Sequence, residues 1–143
     1  MIIRKASEKD IESLATLMGT LGYPTTTEEM EQRFVKINSN PIYNTFISEL
    51  DGKVVGMIGL FLGYRFENND NYVRIVAFVV APKYRNQGIG KTLLLAAEKW
   101  AKEQEATLIS LNSGNRSERK DAHQFYTRRG FEGKATGFYK ALN

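Results

Sequence analysis

The sequence predicts an α/β domain, in which a mixed sheet carries helices on its faces. Three observations support this fold class. Strand-like runs alternate with amphipathic helical segments along the 143 residues, a hairpin signal stands mid-chain, and the later strand-like runs are separated by helix-length stretches that allow crossovers. The predicted order is β-α-α-β-β-β-α-β-α-β. No repeat, low-complexity tract or linker interrupts it, so we expect a single domain over residues 1–143.

The first third of the chain predicts one strand and two helices. Residues 2–5 form a short strand. The segment 7–10, Ser-Glu-Lys-Asp, resembles a capping box and precedes apolar residues at helical spacing, so a helix begins there and ends at Gly22. Thr26 or Thr27 then caps a second helix.

The middle of the chain predicts a hairpin and a further strand. Residues 43–49 and 54–62 are β-type runs, and Asp51-Gly52 between them favours a type I′ turn, in which both central residues take positive φ. After a polar turn, residues 72–80 form another apolar strand.

The last third predicts two helices that connect strands. One helix spans about 88–104, and a strand follows over 107–111. A second helix spans 120–129 and is closed by Gly130, and residues 136–142 form the last strand. Helical crossovers of this kind make the expected sheet a mixed one.

Composition and charge narrow the function classes. The chain lacks cysteine and has one histidine, His123, which excludes disulfides, thiolate sites and a multi-histidine centre, so no metal is expected. There is no signal-peptide pattern and no run of roughly 20 apolar residues, so we expect a cytoplasmic protein with no membrane partner. The net charge of +4 suits an ordinary surface. Denser basic residues at 83–91 and 116–129 favour an anionic ligand instead, without the pattern of a nucleic-acid-binding face.

The segment 79–92 has the pattern of an anion-binding loop. A strand ends at Val80, a loop follows, and a helix begins at Gly88 or Gly90. Backbone N–H groups at a helix N-terminus bind anions, and glycines let a phosphate approach the backbone closely. Arg85 and Lys91 add positive charge. The segment therefore predicts a site for a phosphorylated ligand.

Two common phosphate motifs fit this loop less well. The tripeptide Gly-Lys-Thr at 90–92 ends like a P-loop, but that pattern needs a glycine at position 85, which is Arg85. A P-loop protein also places an aspartate after a neighbouring strand, where this chain has Asn112. The dinucleotide fingerprint G-x-G-x-x-G fails at Leu93. A P-loop-like nucleotide binder is therefore the less favoured alternative.

Two motifs resemble segments of the GNAT superfamily of N-acetyltransferases. Residues 85–90, Arg-Asn-Gln-Gly-Ile-Gly, follow the R-x-x-G-x-G pattern of its acetyl-CoA pyrophosphate loop. Residues 122–131, Ala-His-Gln-Phe-Tyr-Thr-Arg-Arg-Gly-Phe, follow its A-x-x-F-Y-x-x-x-G-F pattern. The resemblance covers nearly the whole chain. It is closest to the bacterial aminoalkylphosphonate N-acetyltransferases, through residues 50–60, 121–126 and 140–142.

The resemblance implies a fold, a co-substrate and a binding site. The fold is the GNAT acyl-CoA N-acyltransferase fold, a mostly antiparallel sheet with a splayed parallel pair and helices on both faces. The co-substrate is acetyl-CoA, whose pantetheine arm lies between strands 72–80 and 107–111, and the acceptor is a small-molecule amine. Homodimers are common in such families. The residues expected to bind acetyl-CoA are Phe78, Val79, Val80, Arg85, Asn86, Gln87, Gly88, Ile89, Gly90, Lys91, Thr92, Asn115, Phe125 and Arg129.

Tyr126 is the expected catalytic residue. The resemblance places its hydroxyl near the CoA sulfur, where a phenol of intrinsic pKa about 10 stays protonated at neutral pH and protonates the departing thiolate. Tyr23 and Tyr64 are expected in the acceptor pocket, although core or dimer contacts would also account for them. The base that deprotonates the amine is not assigned. Glu49 and a chain of waters are both candidates, and His123 receives no role.

The sequence departs from the family pattern at three positions. Arg74 and Ala77 stand where the phosphonate enzymes carry acidic residues. Arg119 stands where many members have an asparagine that contacts the pantetheine arm, and Asn112 or Asn115 can take that role. The acceptor therefore stays open among aminoalkylphosphonates, aminoglycosides, polyamines and protein amines. A non-catalytic acetyl-CoA-binding module, which would not need the motif tyrosine, is the alternative to an enzyme.

Overall fold

The computed structural model describes residues 1–112 and 120–142. The strands in these ranges are β1 (Ile2–Lys5), β2 (Tyr43–Leu50), β3 (Lys53–Tyr64), β4 (Asn71–Val80) and β5 (Ala106–Leu111). The α-helices are α1 (Ile11–Leu21), α2 (Thr27–Asn38), α3 (Ile89–Glu103) and α4 (Lys120–Arg128). The predicted mixed α/β fold class is confirmed.

The five strands form one sheet in the order β1-β2-β3-β4-β5. The first four are antiparallel neighbours, and β5 runs parallel to β4 because α3 crosses over between them. Asp51 and Gly52 form the β2–β3 turn with φ values of 51° and 79°. Both lie in the left-handed region, as the predicted type I′ hairpin requires.

β4 separates from β5 partway along its length. Their parallel pairing ends with Ile75 opposite Leu111, whereas β4 stays paired with β3 up to Val80. Residues 76–80 therefore have a partner strand on one side and, within the described ranges, none on the other. We term this stretch the open edge of β4.

A β-bulge lies where the two parallel strands separate. Ile75 pairs with Leu60 of β3 and Ala77 pairs with Gly59, so Val76 is an extra residue in β4. A bulge bends its strand and increases the local twist. The bulge at Val76 thus coincides with the divergence of β4 from β5.

Helices cover both faces of the sheet. α3 packs over one core, made of Val55, Ile58, Leu60, Leu62, Val73, Ile75, Ile89, Leu93, Leu94, Ala97 and Ala101. α1 and α2 pack over a second core, made of Ala6, Ile11, Leu14, Ala15, Leu17, Met30, Phe34, Ile47, Met57 and Val79. Because strand side chains alternate between faces, Phe78 packs on the α3 side and Val79 on the α1/α2 side. No helix among the described residues is long and apolar enough to span a bilayer.

A partly buried ion cluster fixes the start of α1. Arg4 of β1 donates to both oxygens of Asp10 at 2.8 Å and to Glu49 of β2 at 3.0 Å. The Ser7 N–H also donates to Asp10, at 2.8 Å, as the predicted capping box requires. The hydrogen bonds from Arg4 lower the pKa of the Asp10 carboxyl, which is only 3% exposed. The cluster therefore joins two strands to the first turn of α1.

The predicted last strand is wrong. Residues 136–142 take no regular secondary structure, and Phe138, Tyr139 and Leu142 are 92%, 81% and 91% exposed. An isolated strand is unstable without a neighbour to pair with and a face to bury. This segment packs on neither core, so it has no face to bury as a strand.

Candidate functional site

The loop between β4 and α3 is shaped by two residues with positive φ. After a single 3-10 turn at Pro82–Tyr84, Asn86 has a φ of 63° and Gly88 a φ of 80°. Gly88 is the N-cap of α3, which begins at Ile89. Left-handed residues in a loop turn backbone N–H groups toward a common concave side. The first N–H groups of a helix also lack intrahelical acceptors, so the loop presents donors to an anion.

Two side chains of the loop hold its backbone in place. The Arg85 Nε donates to the Val80 carbonyl, the last of β4, at 3.1 Å. The Thr92 hydroxyl donates to the Gly88 carbonyl at 2.9 Å. Arg85 is thus fixed by its Nε, which leaves its terminal nitrogens for a ligand.

Two residues predicted to contact acetyl-CoA have side chains in the cores. Val79 is 5% exposed and lies under α1 and α2, and Ile89 is 3% exposed and lies under α3. Neither side chain can therefore contact a ligand in the gap between β4 and β5 or at the loop. This differs from Asn86, Gln87 and Lys91, whose side chains are exposed.

An aromatic cluster lies on the α3 side of the open edge of β4. It consists of Phe78, Phe125, Tyr126 and Phe131, and we use the name for these four residues. The Tyr126 ring centroid is 6.3 Å from that of Phe78, 5.5 Å from Phe125 and 5.6 Å from Phe131. The cluster brings α4 against β4, and Tyr126 is the member in contact with all the others.

α4 approaches the first turn of α3 at Gly90. A Cβ atom on Gly90 would lie 3.4 Å from the Phe125 Cζ and 3.8 Å from the Phe78 Cζ, so the two rings pack directly on this backbone. The Arg129 guanidinium carbon lies 3.7 Å from the centre of the Phe125 ring, and its Nη1 donates to the Phe125 carbonyl at 3.1 Å. The Arg129 Nε is buried without an acceptor among the described residues.

The electrostatics around the N-terminus of α3 are unbalanced. The first turn contains no acidic residue, and neither Arg85, Lys91 nor Arg129 forms an ion pair with a carboxylate in the described ranges. The N-terminus of a helix carries a partial positive charge and is stabilised by anions. Three cations beside this N-terminus make the region positive, so the site suits a phosphorylated ligand.

The two predicted acceptor residues are not brought together. Tyr23 is 62% exposed in the α1–α2 loop, after helix residues that pack near Ala77 of β4. Tyr64 is 71% exposed and pairs with Asn71 at the opposite end of β4. Asn115 lies outside the described residues, so its predicted role has no structural test.

The structure also limits the candidates for a base. Glu49 accepts a hydrogen bond from Arg4 at 3.0 Å beside the β2–β3 turn. This position is away from the β4 bulge at Val76, where β4 and β5 diverge. Glu49 is therefore part of the ion cluster that holds α1. His123 and Tyr126 both have interaction partners. The described residues contain no group of three acidic, histidine or cysteine side chains that could hold a metal ion.

A half-buried region on the α1/α2 side of the sheet was not predicted from the sequence. It lies outside the core that those helices cover. We term it the open face, and it consists of Tyr43, Phe61, Gly63, Tyr72, Arg74, Leu108 and Ser110. The Tyr43 and Phe61 rings lie 5.3 Å apart, and the Tyr72 ring lies over Gly63, where a side chain would collide with it. The sequence signal for this face is the period-2 alternation in 71–75. It places the side chain of Arg74 on the other face of the sheet from that of Ile75.

Comparisons with known proteins agree with this geometry. Residues 10–131 match the sequence profile described as the acetyltransferase (GNAT) family. An aminoalkylphosphonate N-acetyltransferase of Salmonella typhimurium is 38% identical over 92 residues, which is 64% of this chain and 58% of that protein.

Solved structures extend the similarity to the whole chain. A GNAT family acetyltransferase of Staphylococcus aureus has a TM-score of 0.84 at 32% identity and covers 99% of this chain and 98% of its own. Glucosamine-6-phosphate N-acetyltransferase of Arabidopsis thaliana, at 23% identity and a TM-score of 0.82, covers 99% of this chain and 98% of its own and shares the fold.

Proposed function

The chain belongs to the acetyltransferase (GNAT) family, and we propose that it transfers the acetyl group of acetyl-CoA directly to the primary amine of a small molecule. One observation carries the proposal: a cationic loop at a helix N-terminus, a strand edge without a partner in the described ranges and the motif tyrosine lie side by side. The loop is 85–92, the edge is 76–80, and Tyr126 packs on Phe78 of that edge.

The loop fits the pyrophosphate of CoA. The space beside the Gly88 Cα is open, since a Cβ there would meet no atom within 4 Å. Its positive φ is proposed to turn the backbone N–H groups toward the ligand. The terminal nitrogens of Arg85, with Lys91 and Arg129, supply the charge that two phosphates require. The backbone of 86–92 supplies the N–H donors.

The open edge of β4 fits the pantetheine arm. The backbone groups of Phe78 and Val80 face the gap where β5 has diverged, and an extended ligand with amide groups can pair with a free strand edge as another strand would. The Val80 carbonyl already accepts from Arg85. The arm is therefore proposed to use mainly the backbone groups of Phe78 and the N–H of Val80, because the backbone groups of Val79 face β3.

Acetyl-CoA supplies an activated thioester, so that the amine nitrogen forms a C–N bond with the acetyl carbon while the C–S bond breaks. The amine loses one proton and the departing sulfur gains one. We propose that the Tyr126 hydroxyl provides the proton for the sulfur, because its ring lies beside the open edge within the aromatic cluster. A free backbone N–H of the open edge would polarise the carbonyl.

Calorimetric titration with acetyl-CoA tests the proposed site. We expect saturable binding by the natural protein, weakened about tenfold in Arg85→Ala through loss of a charge-assisted contact. Lys99→Ala, on the exposed side of α3, is the matched control and should bind normally. ATP with Mg²⁺ should bind far more weakly than acetyl-CoA. Tighter binding of ATP would favour a P-loop-like nucleotide binder over an acetyltransferase.

Turnover separates an enzyme from a binding module. Thiol release from acetyl-CoA in the presence of an amine is expected for the natural protein, and the released thiol should match the acetylated amine in amount. Binding without thiol release for any amine tested would instead support a non-catalytic acetyl-CoA-binding module.

A further inference from the structure

We propose that the acceptor is an amine that carries an anionic group, and that Arg74 on the open face binds this group. The inference rests on the proposed function and concerns the second substrate of the same site. Its basis is the position of Arg74 relative to the gap between β4 and β5, together with the charges around it.

Arg74 belongs to the second-last residue pair between β4 and β5, next to the point where the two strands diverge. It stands opposite Ser110 of β5, and the next pair, Ile75 with Leu111, is the last before the strands diverge. Ile75 is buried in the α3 core, so alternation directs Arg74 to the α1/α2 side. The thioester is proposed on the α3 side, next to Tyr126. An acceptor on the open face would therefore reach it through the gap, with its other end over Arg74.

The charge of Arg74 is unbalanced. The side chain is half-buried, and no carboxylate among residues 1–112 and 120–142 forms an ion pair with it. Its neighbours in the row, Phe61 and Ser110, carry no charge. A partly desolvated guanidinium without a partner is costly, and a carboxylate or phosphonate of the acceptor would satisfy it with two parallel hydrogen bonds.

The adjoining cavity adds no net charge to that of Arg74. A depression of about 350 Å³ is lined by residues that include Tyr72, Leu108 and Ser110 of the open face. Its charged residues are Arg65 and Glu67, which lie 3.7 Å apart. Arg65 also lies over the Tyr72 ring at 5.2 Å. Arg65 thus has an acidic partner, and Arg74 supplies the positive charge that is left over. Such a surface repels polycationic amines and attracts acidic ones.

Four amines of similar length test this selectivity: propylamine, 1,3-diaminopropane, 3-aminopropanoate and 2-aminoethylphosphonate. We expect kcat/KM to be at least about tenfold higher for the two acidic amines than for propylamine, as one charge-assisted pair implies. In Arg74→Gln this ratio should fall close to one. Arg65→Gln, a nearby arginine with an acidic partner, is the control and should keep most of the ratio. Differences in amine basicity affect this ratio equally in every variant, so they cancel when the ratio of a variant is divided by that of the natural protein.

The outcomes separate this inference from the proposed function. A higher rate with propylamine or the diamine, or an unchanged ratio in Arg74→Gln, overturns the inference while acetyl transfer stands. Acetyl-CoA binding with none of the four amines acetylated also overturns it. Loss of acetyl-CoA binding itself would overturn the proposed function, and calorimetry on the natural protein detects that case directly. Acetyl-CoA affinity measured on Arg74→Gln shows whether the variant is folded.

Discussion

Gly88 is the residue at which backbone conformation and ligand binding meet. Its φ of 80° is in the region that only glycine adopts easily, and it caps α3 where the phosphates are proposed to bind. Gly88→Ala should weaken acetyl-CoA binding about tenfold, because a strain of 1 to 2 kcal/mol displaces the loop N–H groups. Calorimetry measures this change. Gly19→Ala, in α1 with open space around it and no positive φ, is the control that should bind normally.

Tyr126 is the second residue whose role can be measured directly. Tyr126→Phe keeps the ring that contacts Phe78, Phe125 and Phe131 and removes only the hydroxyl. The turnover number should fall about 100-fold through loss of general acid catalysis, while the acetyl-CoA dissociation constant changes little. Tyr139→Phe removes a phenol hydroxyl from the exposed tail, where it accepts a hydrogen bond from Asn112 at 2.7 Å, and should lower the turnover number by no more than about twofold. Equal rates for both variants would contradict the assigned role.

At the scale of elements, the Arg4–Asp10–Glu49 cluster sets the position of α1 and, through it, of the α1–α2 loop. Asp10→Asn should lower the free energy of unfolding at pH 7 by about 2 kcal/mol, since it breaks a nearly buried ion pair whose arginine is partly exposed. Urea unfolding measures this change. Glu31→Gln, an exposed α2 substitution, should have little effect.

The same cluster predicts how stability depends on pH. Arg4 lowers the pKa of Asp10 in the folded protein, so the contribution of this carboxylate is present above its unfolded pKa of about 3.9 and is lost as the pH falls through the folded value. The difference between the natural protein and Asp10→Asn should therefore shrink below about pH 4. A difference that stays constant from pH 7 to pH 3 would contradict the ion-pair account.

Local patterns in the sequence were sufficient for most elements. Asp51-Gly52 identified the hairpin, and the capping-box pattern at Ser7 and the cap at Thr26 or Thr27 identified two helix starts, because each depends on neighbouring residues alone. The strand predicted over 136–142 failed, since strand formation depends on a partner that local pattern does not specify. The bulge at Val76 was likewise not predicted, as it arises from the register between two strands.

The residues of the candidate site were likewise predicted only in part. The motif residues Gly90, Phe125 and Tyr126 do meet beside β4, as the two motifs together imply. Arg74 was noticed only as a departure from the family pattern. Its place on the open face follows from the parallel pairing with β5, and that pairing is a property of the whole sheet.

At the scale of the whole molecule, ligand binding should raise thermal stability. Acetyl-CoA at 100 times its dissociation constant adds about 2.7 kcal/mol to the folded state. For a chain of this length that corresponds to a rise in melting temperature of about 5 to 10 °C. Scanning calorimetry with acetyl-CoA, and with ATP and Mg²⁺ at the same concentration, checks this expectation. A larger rise with ATP would contradict the proposed ligand.

The most direct test of acetyl transfer is a single reaction in which the purified protein, acetyl-CoA and 3-aminopropanoate are combined at neutral pH. Thiol release and the mass of the amine product are followed together. We predict enzyme-dependent thiol release with an equal amount of acetylated amine, both greatly reduced in Tyr126→Phe. Thiol release no faster than without protein, across acidic, neutral and cationic amines, would contradict the account.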